Sequence, residues 1–193
     1  VTMTDFTTVK KNLESKRFRV STFATAEEAA DYLDRSIDGV SVGIGGSVTA
    51  EQMGLYEKLS GHNRVFWHWR PESAEDPRRE AMTADMYITS VNGMAETGEL
   101  INIDGNGNRV SAISYGPHHV LFLVSLNKVC SSLETALDRA ENTAAAVCAQ
   151  KFDIQTPCRT TGFCSHCKAP ETRCCQILIT RYARHPERIH VIL

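Results

Sequence analysis

The sequence has no excess of charge of either sign. Its 21 basic and 23 acidic residues leave a formal net charge of -2, so it carries no electrostatic footprint for a nucleic-acid backbone or an anionic membrane. It also has no apolar run approaching the roughly 20 residues a helix needs to cross a bilayer. Nor does a basic start lead into an apolar stretch of signal-peptide length. These absences predict a cytoplasmic protein with no membrane span and no nucleic-acid partner, and leave a small neutral or anionic ligand open. Internal repeats and low-complexity linkers are missing too. With 193 residues, 42% of them hydrophobic, one core burying roughly 70% of the unfolded surface is expected, hence a single domain over residues 1–193.

Cysteine is not lacking. Of seven in the chain, five fall within residues 156–175, "TPCRTTGFCSHCKAPETRCC". A reducing cytosol makes disulfides a poor account of such a cluster, and metal ligation becomes the leading explanation.

Along the chain, strand and helix patterns alternate. Phe6, Val9 and Leu13 lie at helical spacing, "RFRVSTF" alternates as a strand does, and "TAEE" at residues 25–28 has the form of a capping box. The helix it opens carries Ala26, Ala29, Ala30, Leu33 and Ile37 on one face. Val40, Val42 and Ile44 then make a short buried strand, broken by glycines, with Thr49 and Gln52 capping a further helix. "NRVFWHW" and "DMYITSV" predict strands on either side of a helical stretch at 72–82 that contains Pro77. "GELINID" and "RVSAISYG" read as a hairpin closed by Gly105-Asn106-Gly107-Asn108. "HHVLFLVS" has the continuous apolar character of a strand buried on both faces. A long helix over about 133–150, with Ser131 and Glu134 at capping-box spacing, precedes the cysteine loop, and "QILITRY" and "RIHVIL" follow as strands. The order predicts an α/β fold with a mostly parallel sheet flanked by helices, plus a C-terminal cysteine-rich loop.

Three places could carry chemistry. In "GIGGSVT", a glycine-rich turn between strand and helix turns backbone N–H groups toward an anion, with Gly45 and Gly46 in the turn and Ser47 and Thr49 adding hydroxyls. The pattern is neither a dinucleotide fingerprint nor a Walker A loop. Alternatively, the glycines only form a tight turn and Thr49 only caps. In the second place, Ser90 and Asn92 end a strand on the side where open α/β sheets bind ligands, and would face the same crevice as the Gly45-Gly46-Ser47 turn. There Glu96, Glu99 and Asp104 could supply a base or nucleophile, although a lone glutamate beside a turn is usually only solvated, and Asn108 is an ordinary turn residue. Arg109 and Lys128 are the nearby cations able to pair with a carboxylate or phosphate. The third place is the cysteine loop. Cys158, Cys164, Cys167 and Cys174 read C-x5-C-x2-C-x6-C, and four thiolates can hold zinc or the corners of an iron–sulfur cluster. One C-x2-C flanked by single cysteines favours a four-iron four-sulfur cluster over zinc. Cys175, adjacent to Cys174, diverges from that centre, while Cys130 and Cys148 read as small core residues.

The stretches "GGSVT", "TSVNGMAETGELINIDGNGNR", "YGPHHVLFLVSLNKV" and "PCRTTGFCSHCKAPETRCC" together resemble lactate-utilisation (LUD) domain proteins of the short form with a C-terminal cysteine motif. The resemblance runs from about Arg17 to Leu193, and family members continue a few residues further. It implies a fold similar to the ribose-phosphate isomerase, glucosamine-phosphate deaminase and CoA-transferase superfamily. It places Gly45, Gly46, Ser47 and Thr49 on the first motif, and Ser90, Asn92, Gly98 and Glu99 on the second. Asn102, Asp104, Gly107, Asn108 and Arg109 fall on the extension of the second, followed by Gly116, Pro117, Asn127 and Lys128. The chain departs from the family at Ala95, where threonine is usual, and at Thr172-Arg173, where an arginine-hydrophobic pair is usual. The resemblance implies a component of lactate or related hydroxy-acid oxidation, an oxidoreductase component working alongside iron–sulfur oxidoreductase subunits, and does not settle whether the domain itself is catalytic. A non-redox small-molecule-binding or regulatory domain with structural zinc is the alternative. An isomerase or acyl-CoA transferase acting through Glu96 or Glu99 is a third reading.

Overall fold

The structure, a computed structural model, describes residues 6–193. The chain divides into two compact units, each assembled from separated stretches of sequence. Strands are numbered in chain order: β1 (Arg19–Ser21), β2 (Ser41–Ile44), β3 (Arg64–Trp67), β4 (Met86–Ser90), β5 (Gly93–Ala95), β6 (Leu100–Asp104), β7 (His119–Leu123), β8 (Val129–Cys130), β9 (Gln176–Thr180) and β10 (Ile189–Ile192). Among the described residues, no helix is long and apolar enough to cross a membrane.

The parallel-sheet unit comprises Arg17–Ser90, Ser111–Val124 and Ala183–Leu193. Its strands lie in the order β1-β10-β7-β4-β2-β3, and every neighbouring pair is parallel. Parallel pairing demands crossovers, and the intervening helices supply them. The helix Ala26–Ser36 starts at Thr25, whose hydroxyl accepts the Glu28 N–H at 3.1 Å, while Glu28 accepts from Ala24 N–H at 3.0 Å. Ala29, Ala30 and Leu33 bury its inner face, and Ala26 is exposed. They pack with Val42, Ile44, Leu55, Trp67, Ile88 and Leu121 in one apolar cluster.

Successive strand residues point to opposite faces. Gly43, between Val42 and Ile44, therefore faces the helix Pro77–Met82, where a methyl group would sit 2.7 Å from Ala81 Cβ and Ala81 O. Pro77 opens that helix at its first turn, where its missing N–H costs nothing, instead of interrupting a longer one. We expect Gly43→Ala to lower stability by about 1–3 kcal/mol, because neither backbone can yield without repacking. Urea unfolding measures this, and an unchanged midpoint would show that the helix shifts freely.

The mixed-sheet unit comprises the described residues up to Lys16 together with Val91–Val110 and Ser125–Tyr182. Its sheet runs β8-β5-β6-β9. The β5–β6 and β6–β9 pairs are antiparallel and β5–β8 is parallel. This corrects the expected hairpin: β6 pairs with β5 and β9, and "RVSAIS" belongs to the helix Asn108–Ser114. The cause is Asp104, whose Oδ2 accepts the N–H groups of Arg109 at 2.9 Å and Val110 at 3.2 Å, satisfying the donors of a helix start. Ala112 and Ile113 are buried side by side, which an alternating strand would not allow.

In the same unit Val9 and Leu13 are the buried side of the helix Thr7–Ser15, with Phe6 half-buried at its start. The expected long helix begins with Ser132 as cap and Thr135 as reciprocal partner, rather than Ser131 and Glu134. It runs as Leu133–Arg139, a π-helical segment Ala140–Ala145, and Ala146–Lys151. Ala136 and Ala140 pack there on Ala95, Ile101 and Ile103.

Candidate functional site

The sequence-predicted ligand residues fall into the two units. In the parallel-sheet unit, Gly45 follows β2 and its N–H bonds Ile88 O at 2.9 Å, while its carbonyl accepts the Trp67 indole N–H at 3.0 Å. Side chains crowd this turn: a Cβ at Gly45 would meet Tyr87 Oη at 2.7 Å and Thr89 Oγ1 at 2.9 Å. Gly46 lies beside His68 and Trp69. Ser47, not Thr49, is the helix cap: its buried Oγ accepts the Ala50 N–H at 3.1 Å. The helix it opens, Val48–Gln52, is five residues long, and Thr49 lies within it. Ser90, buried at the end of β4, donates to Leu123 O at 2.6 Å.

The mixed-sheet unit holds Asn92, Asp104, Asn108, Arg109 and Lys128, and here a tighter grouping forms. Asn92 Oδ1 accepts from Ile103 N–H at 2.8 Å and from the Arg109 guanidinium at 3.1 Å. Arg109 also donates to Ile103 O, and Asp104 fixes its backbone, as described. A third residue joins them that sequence reasoning missed. Arg139, in the last turn of Leu133–Arg139, donates to the Asn92 carbonyl and, through Nε, to Asn127 O at 3.0 Å. Lys128 is half-buried and feels the charge of both arginines. Burial, then the charges of Arg139 and Arg109, push its pKa down to about 8. Arg109 and Arg139 thus meet on one asparagine in one unit. Asn108 begins the helix that carries Arg109.

The two glutamates have structural partners. Glu99, nearly buried, pairs with Lys16 Nζ at 2.7 Å and accepts from Thr97 Oγ1. Burial alone would raise its pKa, yet those two hydrogen bonds hold it below the ordinary carboxylate range. The Glu96 backbone is pinned on both sides, its N–H to Cys130 O at 2.7 Å and its carbonyl to Asn12 Nδ2 at 2.8 Å.

The cysteine loop opens with the short helix Pro157–Thr161, which carries Cys158. Gly162, at φ 75°, ends that helix, and His166 takes a left-handed φ of 47° inside the C-x2-C. Backbone donors turn toward the loop: His166 N–H reaches Cys164 Sγ at 3.4 Å, and the Cys164 N–H bonds Asn142 Oδ1 at 2.7 Å. The seven cysteines are free thiols. Cys174 feels its neighbours: burial, then the thiolate charges of Cys164, Cys158, Cys167 and Cys148, push its pKa up to about 11. The four predicted ligands are therefore electrostatic neighbours. Among the described residues, however, no three His, Cys, Asp or Glu side chains converge closely enough to hold a metal ion. In kind the donors suit a soft metal or a cluster, and ligation requires the loop to draw in.

Cys175 points elsewhere: its thiol donates to Thr172 O at 3.5 Å and its N–H to Asp104 O at 3.1 Å. A sixth thiol, outside the loop, is Cys148, half-buried in Ala146–Lys151 and so not simply a core residue. Burial raises its pKa, Arg173, Arg109 and Lys151 lower it, and Cys158 raises it again. Cys148 thus feels charges from both the cationic group and the cysteine loop. Its helical position gave the sequence no signal, and neither did that of Arg139.

This architecture defines an α/β protein with an all-parallel six-stranded sheet and a cysteine loop in a second unit. The family model of the LUD domain matches residues 7–193, and the chain belongs to that family. A DUF162 family protein from Deinococcus radiodurans has a similar fold, with a TM-score of 0.52 and 13% identity over 96% of this chain and 93% of that one. Weaker similarity, with no bearing on chemistry, links the chain to two further structures. One is eIF2B delta from Chaetomium thermophilum, with TM-score 0.39 and 18% identity over 67% and 57% of the two chains. The other is ribose 5-phosphate isomerase A from Methanocaldococcus jannaschii, with TM-score 0.37 and 19% identity over 64% and 56%. No curated protein matches the sequence.

Proposed function

We infer that this protein is a component of lactate or related hydroxy-acid oxidation that binds a small carboxylate in its mixed-sheet unit and carries an iron–sulfur cluster on its cysteine loop. The observation that carries the reading is Asn92, on which the guanidiniums of Arg109 and Arg139 meet, in the same unit as the cysteine loop. The candidate anion ligands and the loop cysteines thus belong to one unit. Membership of the LUD family supports the same metabolic setting.

In this reading Arg109 and Arg139 grip the carboxylate, because a planar guanidinium matches its two oxygens. Asn92 holds the arginines in place as a neutral acceptor, so it orients them without cancelling their charge. Lys128 adds a third positive group. Cys158, Cys164, Cys167 and Cys174 would hold the cluster, which supplies one-electron redox chemistry when bound. The turn at Gly45, Gly46 and Ser47, with Thr49 and Ser90, is a second candidate for an anion in the other unit.

Anaerobic purification tests the cluster: iron and acid-labile sulfide in comparable amounts, with visible absorption bleached by dithionite, are expected. Zinc without sulfide would instead establish a non-redox domain with a structural metal. Calorimetric titration with lactate and 2-hydroxybutyrate tests the carboxylate site, and the absence of any binding would reject it.

A further inference from the structure

The geometry points to Asn142 as a positioning residue that ties the cysteine loop to Arg139, so that drawing the loop together around a metal tightens carboxylate binding at Arg109 and Arg139. The inference deepens the reading above and rests on it for both the metal centre and the carboxylate site.

Asn142 lies in the π-helical segment Ala140–Ala145. Its Oδ1 accepts the Cys164 N–H at 2.7 Å, and its Nδ2 donates to Asp138 Oδ1 at 2.8 Å. Asp138 precedes Arg139 and Asn142 lies three residues beyond it, so the loop backbone is fastened to the helical turn that carries the arginine. Arg139 in turn donates to the carbonyls of Asn92 and Asn127, and Asn92 Oδ1 accepts from Arg109 at 3.1 Å. Hydrogen bonds and one helical turn therefore lead from Cys164 to both guanidiniums.

The π-helical segment is where this line can move. On its N-terminal side, Leu133–Arg139 is clamped to the sheet: a Cβ at Gly93 would collide with Ala136 O, and Ala136 and Ala140 pack on Ala95, Ile101 and Ile103. A π turn closes between residues five apart where an α turn closes between residues four apart, so a pull at Asn142 can be taken up as a change of register with Arg139 at its border. Such a pull accompanies ligation, because among the described residues no three metal-ligating side chains converge and the C-x2-C must shift for them to do so. The Cys164 N–H carries that shift to Asn142. As it stands, the Arg139 guanidinium is committed to two backbone carbonyls. Easing those bonds turns it toward a carboxylate, whose charge makes it the stronger acceptor. Metal and carboxylate thus favour the same arrangement, and by linkage each raises the affinity of the other by the same factor.

The test is calorimetric titration of the whole chain, reduced and stripped of metal, with lactate in the absence and presence of zinc. Zinc is the probe because four thiolates hold it tetrahedrally whatever group the loop carries. Lactate should bind about fivefold or more tightly to the zinc-loaded chain, and saturating lactate should tighten zinc by the same factor. Asn142→Ala should abolish both effects, while Asn142→Asp, which keeps an acceptor for the Cys164 N–H, should retain them. An asparagine that only stabilises the fold would lower the melting temperature of Asn142→Ala and leave both effects in place. Equal lactate affinity with and without zinc sinks the coupling alone, and coupling that survives Asn142→Ala takes the role away from Asn142. A chain that binds no zinc, or no lactate in either form, sinks the corresponding half of the reading above and the coupling with it.

Discussion

If the proposed cluster is present, replacing Cys164 or Cys167 by serine is expected to lower bound iron by at least about tenfold, since even the loss of a residue that merely supports a ligand costs about 10–100-fold in metal affinity. The two residues form the C-x2-C, and His166 between them turns its N–H onto Cys164 Sγ, so the segment already has the local form of a ligating turn. Cys158 and Cys174 should behave alike, because the charges of Cys158, Cys164 and Cys167 all act on Cys174. A metal ion at the centre would relieve the mutual repulsion of four thiolates, and serine, a harder and far weaker acid, cannot substitute. Cys175→Ser should retain the metal, because that thiol is committed to Thr172 O. Iron, zinc and sulfide analysis of the variants, purified without oxygen, decides the matter. Unchanged metal in both Cys164→Ser and Cys167→Ser would remove the cluster from the account.

Arg109→Ala is expected to weaken binding of lactate by about tenfold or more, since a charge-assisted hydrogen bond contributes about 1.5–3 kcal/mol. Arg109→Lys should recover only part of this, as an ammonium keeps the charge but loses the fork. Ser47→Ala provides the contrast. It removes the cap of Val48–Gln52, in the parallel-sheet unit. If Ser47→Ala weakens lactate while Arg109→Ala does not, the anion is bound at the glycine-rich turn and the cationic group is structural. Titration calorimetry on the two variants gives the answer directly.

How far the sequence could foretell this arrangement depended on how each residue's signal arises. β2, β4 and β7 were legible because strands covered on both faces need continuous apolar runs, and Val42, Ile44, Ile88 and Leu121 supply them. The stretch 108–114 was misread because Val110, Ala112 and Ser114 mimic strand alternation. What decides its helix is Asp104, outside the segment, through hydrogen bonds no periodicity reveals. The cap at Ser47 was displaced to Thr49 for a related reason, two hydroxyl residues standing within reach of one helix start. The four loop cysteines were readable from spacing alone. Cys148 and Arg139 were not, because each lies on a helix where its neighbours in space come from other segments: Cys158 and Arg109 for the first, Asn92 and Lys128 for the second.

The strand order carries a consequence for the birth of the molecule on the ribosome. β1 is an edge strand whose partner in the sheet is β10, with Val20 opposite Val191, and β10 also separates β1 from β7. Among the described residues, β1 therefore waits for β10, far later in the sequence. Until Ile189–Ile192 has emerged, β7 and β1 each present an unpaired ladder of N–H and C=O groups, a template for pairing with another chain. Closing the sheet across nearly the whole sequence makes folding late and slow.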